Sequence, residues 1–432
     1  MNEMKTITRI TGLVFQVPFS RCCSIALAAI TAAGLGAASY RLYCNAADSY
    51  TLKMRFQQEL NTLYAQYRFP GATAAYILPD GTVEVFAVGM ADRELMVPMT
   101  TDSRMLAASI GKTFVGAAVL ALAQEGVLGL DDLLSKWLGD RAWFSRLPNG
   151  NSVTLRQLLV HSSGIPNHVE TERFKELFRN NRDHGSAPLS PEELISCVLG
   201  LRPLCRPGMG WHYSDTGYIL LGLVVEKAAG HRYYDEIGRR FLRPLGLTMT
   251  SASDSRELPG LAAGYLSGDN IFGLPCKTTL RPGFMAWHPG VEWTGGGVVS
   301  NPKDLVVWAK ALYEGHAMKG CYLPALLKSV PAGKTGTGKR YGIAVAVHDG
   351  GPFGTSYGHS GWIPGYTSGM RYYPGPRVAV AFQINTDIGI VDGSTRLFQE
   401  MEERLAKAVM DSIGHIRTGN KHNNEYNNTT MN

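Results

Sequence analysis

Apolar residues at Leu52, Phe56, Leu60, Leu63 and Tyr67 recur at helical spacing and predict an amphipathic helix over Tyr50–Arg68. The pattern then changes to strand-like runs, Ala72–Leu78 and Thr82–Val88, with Pro79-Asp80-Gly81 as the turn between them. From Leu122 to Ala311 the chain reads as helical patches separated by Gly/Pro loops. Thr154 caps Leu155–Val160. Pro191–Leu199 follows Ser190, with Pro191 at the first helical position and acids in the first turn. Gly217–Ala229 is strongly apolar, and Pro302–Tyr313 starts after Asn301. Tyr341–His348 alternates as one strand, and Gly365–Tyr373 and Arg377–Ile384 form a hairpin around Pro374-Gly375-Pro376. Ser394–Ile413 reads as a closing helix. Sheet elements at both ends with helices between them predict one sheet built from two distant parts of the chain, with a helical subdomain inserted.

One stretch breaks the rule that polar residues lie outside. Arg104–Leu122 is apolar on almost every face, as a buried helix is, yet it carries Ser109 and Lys112. Spacing of i and i+3 stacks the two side chains on one face. Burial is expected to push the Lys112 pKa down and so make it a base for the Ser109 hydroxyl. The plainer reading is an N-cap serine with a surface lysine.

Two later loops supply partners. Tyr213-Ser214-Asp215 precedes the helix at Gly217, where a Tyr hydroxyl can reach a nucleophile. A lysinium beside it would favour a phenolate able to act as base and then as acid. His359-Ser360-Gly361 leads into Trp362 and the C-terminal hairpin. Gly361 permits close backbone approach, and an edge strand there would present a free N–H to an oxyanion. His161 reads as structural, and His212 as a surface neighbour of Tyr213. Trp287, Trp293 and Trp362 are candidates for a cleft wall. Ser163 lacks the strand-turn-helix context of a nucleophile elbow.

The 432 residues are 45% hydrophobic and 18% charged, which is globular composition with ample length for a large core. Formal net charge is +6, with no basic stripe interleaved with aromatics, so nucleic acid is not an expected partner. Cys22–Ala38 is an uncharged apolar run behind Lys5, Arg9 and Arg21. It reads as a secretory signal or a single membrane anchor, with a buried Ala-rich helix as the alternative. The following chain is then expected outside the cytoplasm, periplasmic or membrane-anchored. Cys197, Cys205, Cys276 and Cys321 allow three disulfide pairings or four buried thiols. No Cys/His cluster suggests a metal, and no cofactor is expected. The chain divides into 1–47 (leader or anchor), 48–415 (the globular domain) and 416–432 (a disordered polar tail).

Ser109-x-x-Lys112, Tyr213-Ser214-Asp215 and His359-Ser360-Gly361, in this order, resemble the three motifs of the penicillin-recognising serine hydrolases, the class C β-lactamase, DD-peptidase and esterase group. Leu158–Pro166, Arg243–Leu247 and Gly295–Ser300 agree with that resemblance, which covers Tyr50 to Ile413. It implies an α/β (α+β) fold of β-lactamase/transpeptidase type, an antiparallel sheet flanked by helices with an inserted all-helical subdomain. It makes Ser109 the acylated nucleophile, Lys112 its base and Tyr213 the proton relay. Asp215 would stand where the family has Asn, and His359 where lactamases have Lys. Ser360 and Gly361 would line the substrate, with the backbone N–H groups of Ser109 and Trp362 as oxyanion hole. His359 could then meet a substrate carboxylate as a cation. Lys334-Thr335-Gly336 spells a competing third motif, but only Gly361 is followed by the hairpin in the expected place. The implied activity is an exported hydrolase acting on a D-amino-acid peptide, such as a cell-wall peptide, or on a small ester or amide. The alternatives are a weak β-lactamase and a non-catalytic binder that kept the fold.

Overall fold

The computed structural model describes residues 50–184, 187–268, 272–333, 339–390 and 393–428, with side chains as far as Ile413. The leader at 1–47 and Lys334-Thr335-Gly336 lie outside the described residues. Two compact units divide the chain: Met1–Met54, of which residues 50–54 are described and helical, and Arg55–Asn432, which holds everything below.

The larger unit is built on an antiparallel sheet. Its strands are β1 (Gly71–Ile77), β2 (Val83–Asp92), β3 (Val97–Pro98), β4 (Val330–Pro331), β5 (Lys339–Gly342), β6 (Val345–Gly351), β7 (Gly354–Ile363), β8 (Tyr366–Tyr373) and β9 (Val378–Ile384). Their spatial order is β3-β2-β1-β9-β8-β7-β6-β5-β4. The pairing of β1 with β9 joins the two distant parts of the chain, Ala74 opposite Phe382. Everything between β3 and β4 is the insert, largely helical.

Strand alternation separates two cores. Ala74 faces Phe86 and Phe382 across the register, so all three share a face with Tyr76. There Phe56, on the helix at residues 55–67, meets Tyr76 and Phe86 at ring distances of 5.1 and 4.7 Å. Phe382 meets Phe398 of the helix Leu397–Asn428 at 5.4 Å. Arg404 and Glu59 join the two helices through an ion pair at 2.7 Å. Ala75, Met370 and Ala381 face the other way, into the main core, where the helix Pro302–Tyr313 covers β1, β8 and β9. Lys112–Gln124 is buried from Lys112 through Leu122, with Phe114 stacked on Trp308 at 4.2 Å.

The structure differs from the sequence reading at four places. Met105–Leu106 pairs with Val299 and Ser300 as a short strand, and a 3-10 turn, Ala108–Gly111, precedes the helix, which begins at Lys112. Apolar residues at every position suit a buried strand as well as a buried helix. Tyr341–His348 is two strands, because Ile343-Ala344 turns the chain, with Ala344 at φ 54°. The last helix continues to Asn428, through the stretch expected to be an unstructured tail. Finally, all four described cysteines are free thiols and only Cys197 is buried, while Cys276 and Cys321 are exposed. Neither a disulfide nor a set of four buried thiols describes them.

Candidate active site

Ser109 stands on the 3-10 turn, behind Ala108, whose backbone is left-handed at φ 49°. Such a conformation costs a non-glycine residue free energy and persists only where the surroundings impose it. Here they do. The Ala107 carbonyl accepts the Ser368 hydroxyl at 2.7 Å, and the Ala107 N–H donates to the Val298 carbonyl at 2.9 Å. Glycines let three backbones meet at this point. A Cβ at Gly361 would stand 2.2 Å from the Ala107 oxygen, and one at Gly296 would stand 2.6 Å from the Ala108 carbonyl.

Lys112 is fully buried, and its Nζ lies 2.9 Å from Ser109 Oγ and 2.5 Å from Asp215 Oδ1. The Gly295 carbonyl accepts its third N–H. An ammonium has three donors, and all three are used. Burial alone would lower this pKa, as the sequence reading expects, but the Asp215 carboxylate and Tyr213 outweigh it and hold Lys112 above the ordinary lysine value. Lys112 is therefore an ammonium at rest. The expectation weighs only burial; the sequence leaves Asp215 free to accept from Lys112, but its charge is not set there against the cost of burial.

Asp215 opens the helix Asp215–Ala229, where the N-terminal dipole favours a carboxylate, and Asn167 Oδ1 accepts its N–H at 3.1 Å. The Tyr213 ring lies 5.0 Å from Lys112 Nζ, and its hydroxyl reaches Lys112 and Ser109. Burial raises the Tyr213 pKa and Lys112 lowers it. Burial wins, so the group is a phenol at rest and not the phenolate expected. His161 packs under it, ring centres 4.1 Å apart, with Nδ1 accepting the Ser214 N–H at 3.1 Å. His212 is exposed, and Ser163 Oγ only accepts the Ile165 N–H.

On the far side runs β7. Its pairing with β6 ends at Gly358, so His359 to Ile363 form a local edge although the strand is internal to the sheet. Ile363 and Tyr366 close the Pro364-Gly365 turn, with Gly365 at φ 83°. Alternation from that hydrogen-bonded pair makes Trp362 and Thr367 a non-bonded pair, so the Trp362 N–H points away from β8, toward the unpaired side. His359 keeps both ring nitrogens occupied: Nδ1–H donates to the Ser360 carbonyl at 2.6 Å, and Nε2 accepts the Tyr341 hydroxyl at 2.7 Å. Burial, with Lys112 adding to it, lowers its pKa to about 3. His359 is neutral, and the expected cation for a substrate carboxylate is absent from this position.

The site opens into a cavity of about 390 Å³ lined by Ser109, Tyr213, Asp215, His359, Ser360 and Trp362. Trp287 lines it also, while Trp293 does not. The cavity wall further holds Glu170 and Glu292 and the rings of Phe174, Phe178 and Phe272. These five carry no motif. Glu292, alone between Val291 and Trp293 ahead of Gly295-Gly296-Gly297, had only that position to mark it.

Comparison with known proteins decides the family. A family model described as Beta-lactamase matches residues 56–403. The chain belongs to the beta-lactamase family. It is a serine hydrolase with the β-lactamase/transpeptidase-like fold. It is 25% identical over 376 residues to Penicillin-binding protein 4* of Bacillus subtilis (strain 168), covering 85% of this chain and 76% of that protein. To Penicillin-binding protein 4 of Amycolatopsis lactamdurans it is 27% identical over 372 residues, 83% and 91% of the two chains. Among solved structures, D-amino acid amidase from Ochrobactrum anthropi SV3, complexed with L-phenylalanine, superposes with a TM-score of 0.70 at 24% identity, covering 84% of this chain and 99% of that one. D-stereospecific amidohydrolase from Streptomyces sp. gives 0.67 at 24%, covering 79% and 99%. Two positions set the electrostatics here: Asp215, which holds a proton on Lys112 as an Asn would not, and neutral His359.

Proposed function

We propose that the chain is an exported hydrolase that cleaves an amide or ester bond of a D-amino-acid substrate through an acyl-enzyme on Ser109. The observation that carries the reading is the Ser109–Lys112 contact of 2.9 Å inside a buried proton-sharing cluster that opens directly into the cavity. Ser109 Oγ attacks the carbonyl carbon. The new Oγ–C bond forms, and the C–N or C–O bond to the leaving group breaks. The serine proton passes through Lys112 and Tyr213 to the departing nitrogen or oxygen. Water then attacks the ester, its proton returns by the same route to Ser109 Oγ, and a carboxylic acid leaves. The backbone N–H groups of Ser109 and Trp362 converge on the oxyanion, which lowers the barrier where charge develops.

With Lys112 an ammonium at rest, the cluster must lose one proton before it can accept one from Ser109. The reactive form is therefore the deprotonated minority at neutral pH, and turnover rises with pH. Two of the solved neighbours are named for D-amino acids and D-stereospecific hydrolysis. At 24% identity they share the fold, and the configuration at the substrate is what the experiment decides. Export takes its support from the apolar run Cys22–Ala38 behind its basic flank. Among the described residues no helix is long and apolar enough to cross a membrane.

The test is a panel of D- and L-amino-acid amides, p-nitrophenyl esters and a chromogenic lactam, each run with the wild-type chain and with Ser109→Ala. Hydrolysis of D-amides or esters that vanishes in Ser109→Ala supports the reading. Turnover of the lactam alone would move the chain to the lactamases, and activity that survives in Ser109→Ala would remove Ser109 from the mechanism.

A further inference from the structure

The described lining of the cavity in front of Ser109 offers no free positive charge. Among its described lining residues none is lysine or arginine. Lys112 lies beneath with every donor taken, and His359 is neutral with both nitrogens engaged. A substrate carboxylate would find no cationic partner among these residues.

The wall offers the opposite charge. Asp215, Glu292 and Glu170 all line the cavity. Asp215 is paired with Lys112, and Glu170 accepts the Asn167 side-chain amide at 3.3 Å. The Glu292 carboxyl has no hydrogen-bond or ion-pair partner among the described residues. A Cβ at Gly296 would stand 2.7 Å from Glu292 Oε2 and 2.6 Å from the Ala108 carbonyl, so the carboxyl tip closes on the residue just before the nucleophile. Burial first, and then the Asp215 charge, raise this acid to about 7, with Lys112 opposing. The ionised form of such a carboxyl is costly in a cavity unless a cation meets it, and without one the group takes up a proton, as its raised pKa says. Trp287, 2% exposed and lining the same cavity, holds an indole N–H that also has no partner. The lining is also aromatic. Phe178 meets Phe174, Phe272 and Trp287 at ring distances of 5.8, 5.3 and 5.6 Å.

We infer that Glu292, with Asp215 beside it, selects substrates that carry a free ammonium group next to the scissile carbonyl, and that the aromatic wall takes an apolar or aromatic side chain. The substrate class is amino-acid amides or esters, or peptides cleaved at the residue bearing the free amino group, rather than peptides held by a C-terminal carboxylate. The inference rests on the acyl-enzyme reading above and adds the substrate's charge and polarity to it.

The experiment compares kcat/KM of the full chain on phenylalanine p-nitroanilide, its N-acetyl counterpart and an N-acyl dipeptide ending in a free carboxylate, using the D-forms and the L-forms. The same three are run with Glu292→Gln and Glu292→Asp, and fluorophosphonate labelling of Ser109 is measured in parallel. A hydrogen bond to a charged partner is worth about tenfold to a hundredfold in affinity, so the free amine should exceed its N-acetyl form by that factor. The ratio should collapse in Glu292→Gln, mainly through KM, and recover in part in Glu292→Asp. Equal rates on the two forms, a preference for the carboxylate-bearing dipeptide, or a ratio unchanged in Glu292→Gln would each overturn the inference. If Ser109 is labelled while the amine preference is absent, only this inference fails. If Ser109 is not labelled, the acyl-enzyme reading fails with it. Should Glu292→Gln not fold, the wild-type ratio alone still decides against the inference when it is near one.

Discussion

Replacing Asp215 by Asn tests the electrostatics of the site without disturbing its shape. The amide oxygen can still accept from Lys112, 2.5 Å away in the native pair, so the geometry survives and the charge does not. A carboxylate within 4–6 Å of a lysine typically raises its pKa by about 1–3 units, and each unit is about 1.4 kcal/mol between the two protonation states. Removing it leaves burial, which lowers the Lys112 pKa, as the larger influence. Glu292 offsets part of this: without the Asp215 charge its own pKa falls, and an ionised Glu292 favours the ammonium, while neutral His161 and His359 add no charge. The sign follows directly. Activity needs the cluster deprotonated, so a lower pKa moves the acid limb of the kcat/KM profile to lower pH, by about 1–3 units. Below the wild-type limb, where rate follows the deprotonated fraction, Asp215→Asn should be faster by about tenfold for every pH unit the limb moves. The assay is a chromogenic ester followed across pH with the folded state checked by circular dichroism. A limb that stays in place, or moves to higher pH, would refute the claim that Asp215 keeps Lys112 protonated.

Losses at Lys112 and Tyr213 should be grossly non-additive with each other, because both serve one proton path; Lys112→Ala/Tyr213→Phe that multiplies the two single defects in kcat would count against it. Gly361→Ala puts a Cβ 2.2 Å from the Ala107 oxygen and 2.4 Å from Ser368 Oγ, which must displace either the Ser109 turn or the Trp362 N–H. Steady-state kinetics should show kcat down by roughly two to three orders of magnitude, the usual effect of losing an oxyanion donor. Because His359 is held near 3 by burial, the pH profile of the wild-type enzyme should carry no His359 inflection near pH 6–7, and one that disappears in His359→Gln would contradict its buried, neutral state. Cell fractionation of the full chain should recover it outside the cytoplasm, and full-length protein in the cytoplasmic fraction would reject export.

Much of the fold was legible because its cues are local. Thr154 and Ser190 each close a capping box, and Asn301 caps the helix at Pro302 as its position suggests. Pro374-Gly375-Pro376 breaks the chain between β8 and β9. The stretch Met105–Leu122 was less legible, since an unbroken apolar run cannot separate a short buried strand from a helix. The motif residues meet around one cavity, and spacing alone placed Ser109 and Lys112 on adjoining turns. Protonation was not legible. Whether Lys112 is charged depends on Asp215, 103 residues away, and on the Gly295 carbonyl, and no periodicity links them. His359 likewise looked cationic until Tyr341 and the Ser360 carbonyl occupied its nitrogens. Glu292 belongs to no motif; the packing of Gly296 against Ala108 brings it beside the Ser109 turn.

The central claim is that Ser109 becomes acylated. Reaction of the full chain with a fluorophosphonate, followed by intact-mass measurement and peptide mapping, tests it most directly. A single adduct on the peptide containing Ser109, lost in a folded Ser109→Ala variant, is the predicted result. An adduct on another residue, or labelling undiminished in Ser109→Ala, would contradict it.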